Sequence, residues 1–136
     1  KTVITNTAYL QVGAYSLSNI PSLENVTFGT TSNNYKMHVC HNAFENDTSL
    51  KIVNLGNALH EIEEKAFLNC SSLETIELSE KVEKLGPEIF KGCTSLTTIV
   101  YKNTKARWEM IEKDNDWLGL SHGVQVKCVD ATINVE

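Results

Sequence analysis

Apolar residues in the middle of this chain fall in short alternating runs that return at a fixed interval. In "SLETIEL" (72–78) they are Leu73, Ile76 and Leu78. Ile76 and Leu78 lie two apart, so both point to one face of a short strand, and Leu73 turns into the same core as the chain enters it. The pattern recurs in "SLTTIVY" (95–101), where Leu96, Ile99 and Tyr101 take the same places after one 23-residue step. Upstream, Phe67 becomes Phe90 and Cys70 becomes Cys93 at the same step. An earlier copy keeps the frame with Phe44, Leu50, Val53 and Leu55.

A further apolar slot lies five positions before the aromatic, at Val39, Ile62 and Leu85. A weaker copy places Leu10 there, Ala14-Tyr15 for Ala-Phe, and "LENVTF" (23–28) for "LETIEL". Its spacing is irregular. Tyr15 stands further from Leu23 than Phe67 does from Leu73, and the step from Leu23 to Leu50 is longer than that from Leu50 to Leu73. About four units are expected, two regular and two degraded.

A period of roughly 20 to 29 residues containing L-x-x-I-x-L marks a leucine-rich solenoid. One unit cannot bury its apolar face alone, but stacked units lay strand beside strand about 4.8 Å apart and share one core. Residues 74–78 and 97–101 should therefore be neighbouring parallel strands in register. "KVEKLG" (81–86) should return the chain in extended form. "PEIFKGC" (87–93) is too short for a long helix, and Pro87 suits the start of a helical turn, so one 3₁₀ or α turn anchored by Phe90 is expected. The fold class predicted is an α/β-type repeat solenoid, a leucine-rich repeat of short parallel β-strands stacked with short 3₁₀ or helical turns. The solenoid is expected over residues 1–103 and a C-terminal helix-and-strand cap over 104–136.

The cap is predicted because an open solenoid end exposes apolar faces and an unpaired strand edge. Thr104 can N-cap a short helix that carries Trp108 and Ile111 on one face. Trp108 follows Leu85 by the same step and so continues that slot. "GVQVKCV" (123–129) alternates, with Val124, Val126 and Cys128 on one face, and should close the sheet edge.

"IEEKAFLNCSSLETIELS" (62–79) and "LGPEIFKGCTSLTTIVYK" (85–102) resemble the BspA-like leucine-rich repeat family, whose repeat reads roughly I-G-x-x-A-F-x-x-C-x-x-L-x-x-I-x-L-P. Glu63 stands for the glycine, Ser79 and Lys102 for the proline, and Asp47 for the cysteine of the earlier copy; none of these is expected to weaken a core position. The segment 101–133 is similar to the terminal segment of such proteins. The resemblance implies a surface or secreted protein that adheres to host or matrix proteins, and hence an extracellular or cell-surface location.

Composition narrows the partners. A formal net charge of -5 argues against nucleic acid or an anionic membrane as the main one. No apolar run approaches the roughly 18 residues that span a bilayer. The first residue is Lys1 and no signal-peptide pattern is present, which reads as a processed chain or an excised fragment.

Chemistry-bearing residues are few. Cys70 and Cys93 sit on adjacent turns about 4.8 Å apart, wider than the roughly 3.5–4.5 Å Cβ separation of a disulfide, so buried free thiols are expected. "HVCH" (38–41) lacks the second ligand pair that structural zinc needs, and Val39 fills a core slot, so no metal is expected. No nucleophile elbow, phosphate loop or zinc-protease helix is found, which leaves neither an enzyme nor a cofactor in prospect. Glu61, Glu63, Glu64, Glu80, Glu83 and Glu88 read as a solvated acidic face around the return segments. His60 and His122 have no visible partner, and Asn25, Asn46 and Asn69 head glycosylation-type triplets.

What remains is a surface. The outward strand positions form two columns, Asn25, Ile52, Thr75 and Thr98, then Thr27, Asn54, Glu77 and Val100. One of the eight is charged in a chain with 21% charged residues, and Ile52 and Val100 are expected to be exposed apolar groups. Strand propensity alone also favours Thr, Val and Ile here. A protein-binding or adhesion face is the functional expectation, with a structural spacer or the terminal piece of a longer surface array as the alternative. A carbohydrate-binding module is disfavoured because the columns carry no aromatic residue.

Overall fold

The computed structural model describes residues 1–5, 11–30, 36–119 and 123–135. In chain order its strands are β1 (Thr2–Thr5), β2 (Gln11–Val12), β3 (Asn25–Phe28), β4 (Met37–Val39), β5 (Ile52–Asn54), β6 (Leu59–Ile62), β7 (Thr75–Leu78), β8 (Lys84–Leu85) and β9 (Thr98–Tyr101). The helix α1 (Lys105–Met110) follows, then β10 (Glu112–Lys113), β11 (Val124–Lys127) and β12 (Thr132–Val135). Up to β11, odd and even strands separate into two sheets, and β12 joins the odd ones. The long sheet runs β1-β3-β5-β7-β9-β11-β12 and the return sheet β10-β8-β6-β4-β2. Each passage from one long-sheet strand through a return strand to the next is a turn of a solenoid. There are about five turns, against the four units expected, because β1 precedes the first unit and β10 and β11 complete a turn after the last.

The 23-residue step is realised as strand register. β7 and β9 are parallel, with Ile76 opposite Ile99 and Leu78 opposite Tyr101. The same column continues through Val53, Val26 and Val3 on one side and Val126 on the other. Val26, Val53, Ile76, Ile99 and Val126 are fully buried. Between the sheets the aromatic slot stacks ring on ring. Phe44 lies 4.8 Å from Phe67 at 5° between planes, and Phe67 lies 5.7 Å from Phe90 at 17°. The turn backbone forms a third ladder, with Phe44 N–H donating to the Ala66 carbonyl (2.8 Å) and Phe67 N–H to that of Ile89 (3.0 Å).

The turn itself is not helical. Lys91 N–H reaches the Glu88 carbonyl and Cys93 N–H that of Phe90, both closing four-residue turns. Glu88 (φ 51°) and Gly92 (φ 80°) are left-handed, however, as are Lys65 and Asn69, and Asn42 and Asn46, in the preceding turns. A left-handed residue reverses the local winding, so successive turn bonds never join into a helix. At the second of these positions the side chains form a ladder. Asn46 Nδ2 donates to Asn19 Oδ1 and Asn69 Nδ2 to Asn46 Oδ1, each at 3.1 Å. It stops at Gly92, where an added Cβ would meet Asn69 Oδ1 at 2.3 Å.

The first unit is more regular than its sequence suggests. Tyr15 (φ 57°) and Asn19 (φ 56°) occupy the two left-handed positions, which places Leu17, not Tyr15, in the aromatic slot. Leu17 N–H donates to the Ala43 carbonyl at 2.9 Å, in the manner of Phe44 to Ala66, while the Tyr15 ring is 53% exposed. Leu17 then stands as far from Leu23 as Phe67 does from Leu73 in the regular copies. The slot expected to hold Leu10 is filled by Val12, opposite Val39; Leu10 lies outside the described residues. The extra length sits after β3, since the path from Phe28 to Val39 is longer than the equivalent path from Leu55 to Ile62.

One replacement does touch the core. Asp47, in the cysteine slot, is 0% exposed. At the other end, α1 forms where expected: Thr104 Oγ1 accepts from Arg107 N–H, and Trp108 and Ile111 are buried. Trp108 does not continue the Leu85 slot, because Lys113 is the residue opposite Leu85. The helix occupies the intervening length, and Trp108 packs against Tyr101 (5.4 Å) and Trp117 (5.5 Å) with the Lys113 ammonium 4.9 Å from its ring. β11 joins β9 as expected but is not the edge, since β12 adds to it antiparallel, with Val126 opposite Ile133.

Two stability outcomes follow. Phe67→Ala, which empties a fully buried site between two stacked rings, should lose about 3–5 kcal/mol in urea denaturation. Asn46→Ala removes both ladder bonds and puts at φ 61° a residue that tolerates the left-handed region less well than asparagine. It should cost roughly 1–3 kcal/mol, and Asn46→Gly measurably less.

Candidate functional site

The outward positions of the long sheet form the two expected columns, because strand alternation puts every second residue on that face. In the first, Asn25, Ile52, Thr75 and Thr98 are mutually in register. In the second, Thr27, Asn54, Glu77 and Val100 are likewise aligned. Ile52 is 49% exposed, but Val100 is only half-exposed, so the exposed apolar pair reduces to one residue. The one charge is neutralised locally, with Lys102 Nζ 3.8 Å from Glu77 Oε1.

The columns run further than the sequence revealed. Gln125 lies opposite Thr98 and Lys127 opposite Val100, and β12 adds Asn134 and Thr132. Gln125 Nε2 donates to Asn134 Oδ1 at 3.2 Å. Thr2 precedes Asn25. The first column thus reads Thr2, Asn25, Ile52, Thr75, Thr98, Gln125, Asn134, without a charge from β1 to β12. Gln125 was within reach of sequence reasoning through the alternation of 123–129. The antiparallel strand was not, because no repeat partner announces it.

The return sheet is different. Its glutamates are not a plain acidic face, because bases stand between them. His38, Glu61, Lys84 and Glu112 are successive register partners. His38 Nδ1 is 3.4 Å and Lys84 Nζ 3.9 Å from the Glu61 carboxylate. Lys36 approaches Glu83 (3.7 Å), and Lys91 meets Glu88 (2.8 Å). The Lys91 contact holds the Glu88 carboxyl below its ordinary value.

Other chemistry-bearing residues are occupied structurally. Cys70 Sγ donates to the Phe44 carbonyl and Cys93 Sγ to that of Phe67, each at 3.0 Å, and both thiols are free. Contact with Cys93 and then burial push the Cys70 thiol far up, away from the reactive thiolate. His60 Nδ1 is 2.8 Å from the Ala58 carbonyl. His122 lies outside the described residues. Among the described residues no three His, Cys, Asp or Glu side chains group as a metal site. An open groove of about 460 Å³ beside α1 is lined by His60, Glu80, Lys81, Tyr101, Arg107 and Met110, among others. The Tyr101 hydroxyl there donates to the Glu80 carbonyl (3.4 Å), and burial raises its pKa. Among the described residues no helix is long and apolar enough to cross a membrane.

A stack of parallel turns with a 23-residue step, apolar columns inside and a polar strand face outside defines a leucine-rich-repeat solenoid. The BspA type leucine rich repeat region matches residues 11–111 in 6 copies, and the chain belongs to that family. A leucine-rich cell surface protein from Faecalibacterium prausnitzii superposes with a TM-score of 0.61 at 19% identity, over 84% of this chain and 35% of that one. A leucine-rich repeat protein of T. pallidum superposes with a TM-score of 0.64 at 20% identity, over 93% of this chain and 51% of that one. The chain thus spans about half or less of either protein, and both likenesses are of fold. No curated protein matches in sequence.

Thiol accessibility checks the core placement. Cys70 and Cys93 should resist a thiol reagent in the native protein and both react after unfolding without reductant. A mass spectrum linking the two would contradict the packing described.

Proposed function

We propose that the chain is a non-enzymatic protein-binding module of a cell-surface or secreted protein, acting in adhesion through the outer face of the long sheet. The observation that carries this reading is the uncharged first column, Thr2 to Asn134, on a protein whose opposite sheet is densely charged. A face poor in charge loses little solvation when covered, and interface centres are depleted in charge for that reason. Asn25, Thr27, Ile52, Asn54, Thr75, Glu77, Thr98 and Val100 form its centre, and a host or matrix protein is the partner class. Residues 104–136 act as a cap over the last turns, where Trp108 and Trp117 cover the aromatic column. The family, and the cell-surface relative from F. prausnitzii, support an extracellular setting.

A second reading is a spacer within a longer repeat array. Its support is the small share of the longer solenoid relatives that this chain spans.

The test is binding to an immobilised panel of matrix and host surface proteins, followed by calorimetry on any hit. Thr75→Lys with Thr98→Lys places two charges at the face centre and should lower affinity by roughly 100-fold or more, with the fold intact by circular dichroism. Glu83→Lys with Glu109→Lys, away from this face, should leave affinity within about twofold. Loss in the second variant only would move the site off the long sheet. Loss in neither, or no hit on the panel, would favour the spacer.

A further inference from the structure

The cysteine slot changes character at the start of the solenoid. In the regular turns Cys70 and Cys93 point their thiols back to the preceding turn, donating to the Phe44 and Phe67 carbonyls. Asp47 holds the same slot in the second turn and is 0% exposed. Its Oδ1 accepts the Ile20 N–H at 2.8 Å, and its Oδ2 is buried with no hydrogen-bond partner among the described residues. The regular turns close this slot's N–H onto their own aromatic-slot carbonyl, as Asp47 to Phe44, Cys70 to Phe67 and Cys93 to Phe90. Ile20 instead crosses between turns to the carboxyl. Asp47 is thus a bond between the first and second turns where the others have an internal one.

We propose that Asp47 is a pH-sensitive latch that holds the first turn, Gly13–Leu23, on the stack when protonated and loosens it when ionised. A protonated carboxyl can reproduce the cysteine pattern, accepting from Ile20 and donating toward the Leu17 carbonyl, the counterpart of that of Phe44. An ionised one has nothing to donate and leaves a buried charge with the Ile20 N–H as its hydrogen bond. Among the described residues no buried Lys or Arg compensates it. The facing first-turn segment Gly13–Leu23 contains no Asp, Glu, Lys, Arg or His, and its Tyr15 is exposed. From the third turn the facing group is the Cys70 thiol, and on its own turn the nearest charged residues in sequence are Glu45, half-buried, and Lys51, exposed. The first turn also lacks the ring that stacks in the following turns, since Leu17 stands in the aromatic slot. What ties it includes Leu17 N–H to Ala43, Asn19 N–H to Glu45 and the Asn19–Asn46 side-chain bond.

Burial raises the Asp47 carboxyl to about 7, only partly offset by the Ile20 N–H. A carboxyl raised on folding contributes stability that is whole below the ordinary carboxylate range and is lost as pH rises through about 7. The latch is therefore tight in acid, loosens as pH rises toward neutrality and is fully loosened above about 7.

The test is amide hydrogen exchange by NMR at pH 5, 6, 7 and 8.5, with rates normalised to those of an unstructured peptide at each pH. In the wild type, protection at Leu17, Asn19 and Ile20 should fall by roughly tenfold per pH unit between pH 5 and 7, then level off. Phe67 and Asn69, bonded between regular turns, should not change. In Asp47→Asn, which keeps the acceptor but cannot ionise, the first-turn protections should be flat with pH. Asp47→Cys restores the repeat residue and should be flat below the thiol range, which keeps the test available if Asp47→Asn does not fold. Flat protection in the wild type, or an equal fall in either variant, overturns the latch.

Discussion

Every turn of this protein is half of an interface. A single loop with two short strands has too little apolar area to offset the entropy of ordering it, so no turn is stable until a neighbour covers it. That constraint explains why the same side-chain types recur at the same heights. Ile76 is covered by Val53 and Ile99, and the Phe67 ring by Phe44 and Phe90. Bonds along the stack do the same for the backbone, as where the Phe44 and Phe67 N–H groups reach the next turn. The asparagine ladder extends this to side chains in conformations that non-glycine residues seldom adopt.

The regular part of the fold was legible because it is repeated. Ile76 and Ile99 announce their register by a common step, and Leu73, Phe67 and Cys70 with their copies announce the core. Where the step is broken, reading by analogy failed in specific ways. Ala14-Tyr15 looks like Ala-Phe, yet the slot goes to Leu17 because the inserted residues lie after β3 and leave the first unit's spacing intact. Trp108 satisfies the arithmetic but sits on an inserted helix, so Lys113 takes the register. Left-handed backbone at Lys65 and Glu88 has no marker in residues of that type. The face was legible from alternation, whereas its pairing of Glu77 with Lys102, the partial cover of Val100 and its continuation onto β12 depend on neighbours that alternation does not specify.

The replacements within the repeat differ in consequence according to where the slot points. Glu63, at the glycine position, lies at the surface and finds a use there, accepting the His41 N–H at 2.9 Å. Asp47 stands in the interior, where a carboxyl and a thiol of similar size are not equivalent. A thiol serves as a small apolar group with a weak donor, but a carboxyl changes from donor to bare acceptor as it loses its proton. Two substitutions that look alike as departures from a pattern are thus of different kinds, one absorbed by solvent and one made part of the stack.

The return sheet carries order along its axis. Glu61, Lys84 and Glu112 alternate in sign, so each of these turns presents to its neighbour a group unlike its own. Turns built from near-identical residues invite misassembly, since a chain that looped out one turn would still match apolar residue to apolar residue. Omitting the turn of Lys84 would set Glu61 beside Glu112. Like charges side by side on adjacent strands are unfavourable. The inner columns accept any neighbour of the right shape, and the outer charges distinguish which neighbour it is. The ladder therefore acts as an address system, numbering turns that the core alone treats as interchangeable.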